Sequence, residues 1–398
     1  ATAADSTTAG TTAAPTEAVD QSKIPLTNLL PGWPQAKEIN EESGIVMDAD
    51  TGAIMYSLNR SEIRYPASTT KIMTALLAIE NCDLNETVTM GADGLVHTTD
   101  GSTNAVTVGG EEFTVEQCLY MALLKSANDI AVQLGVHVGG SVSGFADMMN
   151  ARAAELGCTN THFVNASGMP DSDHYTTAED MAKIMCACLK NETFRKVIST
   201  KQYTVPPTNK TSTERVYDNH NQLIQPSSEY YYEYAIGGKT GFTKAAWRTL
   251  VTAAEKNGRT LVCVVMRGPD KTDFVDTKYL FEYGFNNFET TELNGVKVTL
   301  PTGVSTDTVE QTVTELADGS ERVDSYYNKL PVGSAVVTAA DAAALTESKN
   351  TQAEETQNEG QEKENGGHTG VTILLIVLGV LLAAVLIAGI ALLRIQRR

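Results

Sequence analysis

Ser68 and Lys71 open and close the tetrapeptide Ser68-Thr69-Thr70-Lys71, between Tyr65-Pro66-Ala67 and the apolar run Ile72-Met73-Thr74-Ala75-Leu76-Leu77-Ala78-Ile79. A serine on the first turn of a helix, with a lysine one turn later on the same face, sets an amine beside a hydroxyl. A desolvated lysine amine loses its proton and can act as the base that turns such a hydroxyl into a nucleophile. The helix N-terminus favours negative charge and would steady the anion that develops at Ser68. Ser68 begins the only Ser-x-x-Lys in the chain, although ordinary composition supplies about one or two by chance. The bland alternative is an exposed serine cap beside an unrelated surface lysine.

Ser-x-Asn begins at Ser57, Ser102, Ser126 and Ser348. Only Ser126-Ala127-Asn128 falls between two amphipathic helical patterns, where a rigid loop can turn both side chains toward a cleft. There the hydroxyl can relay a proton to a leaving amine, and the amide can hold a substrate peptide group. A helix N-cap role for Ser126 is the competing and compatible reading. Lys239-Thr240-Gly241 closes an expected strand. Its ammonium and hydroxyl can bind a carboxylate, while the glycine admits another backbone. A phosphate loop is excluded, because no Gly-x-x-x-x-Gly-Lys-[Ser/Thr] leads into a helix here.

Elements of both kinds must position these boxes. Gly44–Asp48 and Ala53–Ser57 flank Ala49-Asp50-Thr51-Gly52, a hairpin signal. Thr114-Val115-Glu116-Gln117 reads as a capping box opening a helix that stops near Lys125, and another begins at Ser126. Ser143–Leu156, closed by Gly157, and a segment capped by Thr177 and running through Leu189 continue a largely helical stretch to about residue 200. Beyond it, Arg248–Ala254 and Thr260–Arg267 are β-type runs around the Asn257-Gly258 turn, and Asp273–Tyr283 reads as a helix lying back on that sheet.

The ends have a different texture. Residues 1–22 are rich in Ala and Thr and read as a disordered leader, the start of a chain whose export signal is absent from this sequence. Residues 23–285 form the expected catalytic domain and 286–343 a small, turn-punctuated β appendage. Residues 344–370 are an acidic tether. Val371–Leu393 carries no charge over 23 residues, enough to cross a membrane. Arg394, Arg397 and Arg398 in the 394–398 tail place that tail in the cytoplasm and the rest outside. Formal net charge is −19 over 398 residues, and −22 for those before the tail, which argues against nucleic-acid or anionic-lipid partners. The six cysteines (82, 118, 158, 186, 188 and 263) fit no zinc spacing. Buried thiols are expected, with no metal and no cofactor.

Ser-x-x-Lys, Ser-x-Asn and Lys-Thr-Gly, in this order, are the boxes of the active-site-serine penicillin-recognising enzymes. Over roughly residues 40–290 the chain resembles the serine D-alanyl-D-alanine carboxypeptidases, the low-molecular-mass penicillin-binding proteins. The likeness rests on Tyr65–Ala75, Phe113–Gln117 with Ser126–Asp129, Tyr234–Thr243 and Tyr283–Phe288. It implies an α/β fold, a β-lactamase/DD-peptidase-like sheet flanked by helices plus an all-helical lobe, with the site at their junction. To these the sequence adds the β appendage and one transmembrane helix. The resemblance also implies hydrolysis of the D-Ala-D-Ala end of peptidoglycan stem peptides, inhibition by β-lactams, and attachment to a bacterial cell membrane with the catalytic domain outside.

Carried over by residue, Ser68 forms the acyl-enzyme, Lys71 is its base and Ser126 relays the proton. Asn128 positions the substrate, and Lys239, Thr240 and Gly241 hold its terminal carboxylate. The backbone N–H groups of Ser68 and Phe242 form the oxyanion hole. Three features depart from the family pattern. Ala246-Trp247 replaces the common Ala-Gly, so Trp247 is expected to reshape the strand end and narrow the cleft. Asn165-Ala166-Ser167-Gly168-Met169 replaces Asn-Pro-His-Gly-Leu. A spanning segment replaces the usual amphipathic anchor. The competing functions are a D,D-endopeptidase that cuts cross-links, and a catalytically weak wall-binding or antibiotic-sensing module. A β-lactamase is disfavoured because the second box is Ser-Ala-Asn and no acid-bearing loop motif follows it.

Overall fold

A computed structural model describes residues 21–98, 102–105 and 108–338. The chain divides after Val337 into two compact units, and the elements below belong to the first. In chain order the strands β1 (Ser43–Asp48) and β2 (Ile54–Leu58) precede helix α1 (Lys71–Asn81). Then come β3 (Thr87–Thr89), α2 (Ala92–Leu95), β4 (Glu112–Thr114), α3 (Val115–Tyr120), α4 (Asn128–Gly139), α5 (Val142–Glu155), α6 (Ala178–Cys188) and α7 (Glu192–Ser199). After β5 (Gln202–Val205) and β6 (Arg215–Asp218) the chain returns to the sheet as β7 (Ala235–Thr243), β8 (Trp247–Lys256) and β9 (Arg259–Gly268). Helix α8 (Thr272–Asn287) leads into β10 (Phe288–Leu293), β11 (Val296–Pro301), β12 (Glu310–Glu315), β13 (Glu321–Tyr327) and β14 (Leu330–Val337).

The central sheet is antiparallel in the order β2-β1-β9-β8-β7. Side chains alternate between the faces of a strand, and in β9 both faces are buried. Val262, Val264 and Met266 join the core beneath the helical lobe, while Leu261, Cys263 and Val265 join the core under α8. This is why the segment reads as a continuous apolar run. Each fully buried aliphatic chain contributes about 1.5–3 kcal/mol. The stack thus fixes the position of β8 and, through it, of the edge strand β7.

The expected hairpin, the helices flanking the second box and the Asn257-Gly258 turn are all present. The capping box is complete: Thr114 Oγ1 accepts from Gln117 N at 3.1 Å, and Gln117 Oε1 accepts from Thr114 N at 2.9 Å. Helix α8 extends beyond the expected Tyr283 because its last carbonyls find a partner inside the protein. Arg259 donates to the carbonyls of Gly284, Phe285 and Phe288 at 3.1, 2.9 and 2.6 Å, meeting acceptors that a helix end leaves unpaired. The strands that follow share the α8 core through Val296, Val298, Leu300, Leu330 and Val332. Trp33 ties them to β2: its ring stacks on Tyr327 at 5.5 Å, and its Nε1 donates to the Met55 carbonyl at 2.9 Å.

All six cysteines are unpaired, with four buried and Cys82 and Cys186 half-buried. Among the described residues no helix is long and apolar enough to cross a membrane. The expected span 371–393, the tether, the arginine tail and nearly all of the leader lie outside the described residues.

Candidate active site

Pro66 ends the approach to the first box, and Ala67 follows it with φ 49°, an uncommon backbone for a residue with a Cβ. A 3₁₀ turn over Ala67–Thr70 then feeds directly into α1. Two contacts hold this turn. The Pro66 carbonyl accepts from Thr69 Oγ1 at 2.7 Å and from Thr249 Oγ1 of β8 at 3.1 Å. On the opposite side lies Gly168, with φ +85°. A Cβ placed there would lie 1.8 Å from the Ala67 carbonyl oxygen, so only glycine fits.

Lys71 is fully buried. Its Nζ lies 3.1 Å from Ser68 Oγ, 2.7 Å from Asn128 Oδ1 and 2.6 Å from the Ser167 carbonyl. Burial holds the amine well below the usual lysine range. The charge of Lys239 pushes it further down, and Asp129 opposes both. A neutral amine has two hydrogens and one lone pair. Asn128 Oδ1 and the Ser167 carbonyl can only accept, so they take the two hydrogens. Ser68 is the only one of the three neighbours able to donate, and the lone pair is left facing its hydroxyl. This arrangement can move the serine proton to the amine as Ser68 attacks.

The second box arises from an interruption in a helix. After α3 the chain makes a π turn, Met121–Lys125, and Ser126 then adopts a left-handed conformation with φ 66°. Such turns inside helices mark sites where side chains are re-aimed. Ser126 is therefore not an N-cap. Ala127 holds that place without a side-chain bond, because the left-handed Ser126 lies one residue too early to reach the amides of the first turn. Ser126 is buried at 6% exposure, and its Oγ makes no hydrogen bond among the described residues. Asn128 begins α4, and besides meeting Lys71 it directs Nδ2 toward Met169 Sδ at 3.5 Å. A thioether is a weak acceptor, so that donor can turn to a better one.

The third box lies on β7, the sheet edge. Gly241 is where this strand passes the nucleophile: a Cβ there would stand 3.1 Å from both Ser68 N and the Pro66 carbonyl, and 2.3 Å from Thr249 Oγ1. Lys239 is buried at 1% exposure, and its Nζ donates to the Thr240 carbonyl at 2.7 Å. Burial lowers its pKa to about 7. Thr240 is half-buried and pairs with Leu250 of β8, while Phe242 pairs with Arg248 and turns a largely exposed ring outward against its guanidinium. Ser68, Lys71, Asn128 and the strand at Gly241 thus converge, whereas the hydroxyls of Ser126 and Thr240 bond to none of them.

Trp247 stands at the end of the β7–β8 ladder, opposite Thr243. It has φ 57° and begins β8, and its ring lies 5.1 Å from the Arg267 guanidinium. It walls a groove of about 540 Å³ with Phe242, Lys244, Arg248, Gly268, Pro269 and Asp270. Ala246 occupies the buried place beside it. Three further groups went unread in the sequence: the Ser167 carbonyl, Thr70 and His174. Val164 N–H donates to His174 Nδ1 at 3.0 Å, so Nε2 carries the proton and donates to Thr70 Oγ1 at 2.8 Å. Burial, more than nearby cations, lowers the His174 pKa to about 4. The ring is a neutral brace behind Lys71, not an acid or base.

A family model described as D-alanyl-D-alanine carboxypeptidase matches residues 32–270. The D-alanyl-D-alanine carboxypeptidase DacB2 of Mycobacterium tuberculosis is 37% identical over 61% of this chain and 82% of its own length. A D-alanyl-D-alanine carboxypeptidase of Streptomyces strain K15 is 34% identical over 61% of this chain and 86% of its own length. The crystal structure of the Streptomyces K15 DD-transpeptidase superposes with a TM-score of 0.59 at 31% identity, covering 64% of this chain and 100% of that one. The match spans both lobes and all three boxes, and the chain belongs to the D-alanyl-D-alanine carboxypeptidase family, peptidase S11.

Proposed function

We propose that this chain removes the terminal D-alanine from peptidoglycan stem peptides ending in D-Ala-D-Ala, through an acyl-enzyme on Ser68 that β-lactams trap. The observation that carries this reading is the pair of acceptor-only neighbours at Lys71, Asn128 Oδ1 and the Ser167 carbonyl, which leaves the amine's lone pair for the Ser68 hydroxyl. Lys239 and Thr240 receive the substrate's terminal carboxylate, and Asn128 Nδ2 takes a carbonyl of the preceding peptide group. Ser68 Oγ attacks the scissile carbonyl as its proton passes to Lys71. The N–H groups of Ser68 and Phe242 stabilise the oxyanion. As the scissile C–N bond breaks, Ser126 gives its proton to the departing D-alanine amine and is reprotonated from Lys71, so the ester bond to Ser68 remains and Lys71 is again a neutral amine. Water, deprotonated toward Lys71, attacks that ester and frees the shortened peptide, restoring Ser68.

Fluorescent penicillin should label the protein, and mass spectrometry should place the adduct on Ser68. Release of D-alanine from a pentapeptide should require both Ser68 and Lys71. A label that survives Ser68→Ala overturns the assignment. The K15 neighbour, whose title names a transpeptidase, makes acyl transfer to an amine the second reading. A product joined to an added amino acceptor, in place of free acid, would favour it. Residues 371–393 supply a membrane anchor in this proposal. Detergent-dependent extraction from membranes, lost on truncation after Gly370, tests it.

A further inference from the structure

Cys82 and Glu86 lie close together after α1, and the fold brings His137 to them from 51 residues beyond Glu86. Their sulfur, carboxylate oxygen and imidazole nitrogen all lie within 4.8 Å of one another. We propose that this cluster binds a divalent transition-metal ion of the zinc class, with three protein donors and a fourth position for water. The donor set fits that class: a thiolate, an imidazole and a carboxylate are the ligands of borderline metals such as Zn²⁺, whereas all-oxygen sites suit Mg²⁺ and Ca²⁺.

The donors are held by structure independent of any ion. Cys82 is the residue at which α1 ends, its N–H bonded to the Ala78 carbonyl at 3.1 Å. Glu86 is oriented through one oxygen, Oε1, which accepts from Asp83 N–H at 2.6 Å. That leaves Oε2 toward His137, whose Nε2 lies 3.1 Å away. His137 sits in the last turn of α4. Neutral His137 and ionised Cys82 are what a metal requires, so binding releases protons. Partial burial first, and then the negative charge of Glu86, hold the Cys82 thiol above its usual range. A cation between them reverses the sign of that interaction.

The position gives such an ion a structural consequence. Helices α1 and α4 both start at the candidate active site, where Lys71 and Asn128 meet at 2.7 Å. Both end at this cluster, about 16–18 Å along at 1.5 Å per residue. A metal would fasten the far ends of the two helices whose near ends hold the base and its partner. It would be a brace, taking no part in the acyl transfer.

The test uses the full chain without a histidine tag, stripped by chelator and titrated with Co²⁺. Expected are one equivalent bound, visible d–d bands of a four-coordinate ion, a thiolate-to-cobalt charge-transfer band, and displacement by Zn²⁺ with a rise in Tm. Cys82→Ser should abolish the charge-transfer band, and His137→Gln should weaken binding by at least about 10-fold, the lower end of losses seen even for outer partners of metal ligands. Penicillin labelling should persist in both variants, which shows that they fold. Absence of stoichiometric binding, binding without a thiolate band, or unchanged affinity in both variants overturns the proposal. Failure of penicillin to label the wild-type chain that binds one equivalent of metal would instead count against the acylation reading, not against this site.

Discussion

Replacing Asn128 by aspartate changes one atom type at the site and should silence the base. The amide oxygen lies 2.7 Å from Lys71 Nζ. A carboxylate in that place attracts an ammonium by about 6 kcal/mol at an effective dielectric of 20. At 1.36 kcal/mol per unit this is roughly 4 pKa units. It opposes the lowering that burial and Lys239 impose on Lys71 and shifts the amine toward its protonated form. An ammonium has no lone pair for Ser68. Acylation should fall by about 10²–10⁴, the usual contribution of a positioned general base.

Asn128→Leu separates this charge effect from the loss of a substrate contact. It removes the amide but adds no charge, so Lys71 stays depressed and the acid limb of the pH profile stays where the wild type has it. The assay is the second-order rate of fluorescent-penicillin acylation from about pH 5 to pH 10, since the wild-type limb belongs to the amine. In Asn128→Asp the rate should climb about tenfold per pH unit through a range where the other two proteins have levelled off. An Asn128→Asp rate within about threefold of wild type, with an unmoved limb, would refute the neutral-amine argument.

Three other outcomes follow from particular groups. Lys239, at about 7, binds the substrate carboxylate only when protonated, so kcat/KM for a D-Ala-D-Ala peptide should fall above about pH 7. In Lys239→Arg, which stays charged, that alkaline limb should move to higher pH even if the rate drops; a limb that stays put assigns it to another group. Glu41 is buried beside Asp276 and Thr272, and burial first, then the Asp276 charge, raises it from 4.5 to about 8. A raised folded-state pKa gives stability that is complete below about pH 4.5 and is lost as pH rises through about 8, by at most about 5 kcal/mol. Denaturant melts should show wild type losing stability across that window and Glu41→Gln nearly flat; parallel curves would falsify the linkage. Gly168→Ala drives a Cβ to 1.8 Å from the Ala67 carbonyl and should cost at least about 2 kcal/mol and most penicillin labelling. Normal labelling and melting would show that the turn before Ser68 yields easily.

What could be read from the chain, and what could not, divides along the range of the interaction. Thr114 to Gln117 is a local capping box, and Leu261–Met266 is a run whose burial on both faces shows as unbroken apolarity. Both carry their cause within a few residues. The first two boxes were legible because each places its chemistry at a helix start. The third lies inside β7, two residues short of its end, and not at the strand end expected. Ser126 was misassigned as a possible cap because a π turn over Met121–Lys125 leaves no periodic sign. The Ser167 carbonyl carries no side-chain signal at all, and His174 meets Thr70 from 104 residues away. The substituted Asn165–Met169 loop was the available pointer, since a segment kept beside three catalytic boxes needs a reason to be there. His137 reaches Cys82 and Glu86 from 51 residues beyond Glu86 only because α4 packs on α1, so no spacing rule could find the three together.

The two buried lysines show why residue type alone does not assign a role. Neither touches a carboxylate among the described residues, and burial lowers both. At Lys71 the three neighbours use every position on a neutral amine: two acceptors take its hydrogens and the Ser68 hydroxyl faces its lone pair. Adding a proton there turns the Ser68 hydroxyl into an acceptor and removes the lone pair that could take its proton, with no anion to compensate. At Lys239 a single acceptor, the Thr240 carbonyl, is met among the described residues, so an ammonium keeps two donors for a partner that arrives with the substrate. A terminal carboxylate makes that cation a satisfied ion pair, and its removal leaves a buried charge exposed to a penalty of about 3–5 kcal/mol. Neutralising Lys239 in this way also weakens its repulsion of Lys71. The full lowering of the base therefore belongs to the free enzyme, and the acceptor-only neighbours Asn128 and Ser167 are what can keep the lone pair aimed at Ser68 once substrate is bound.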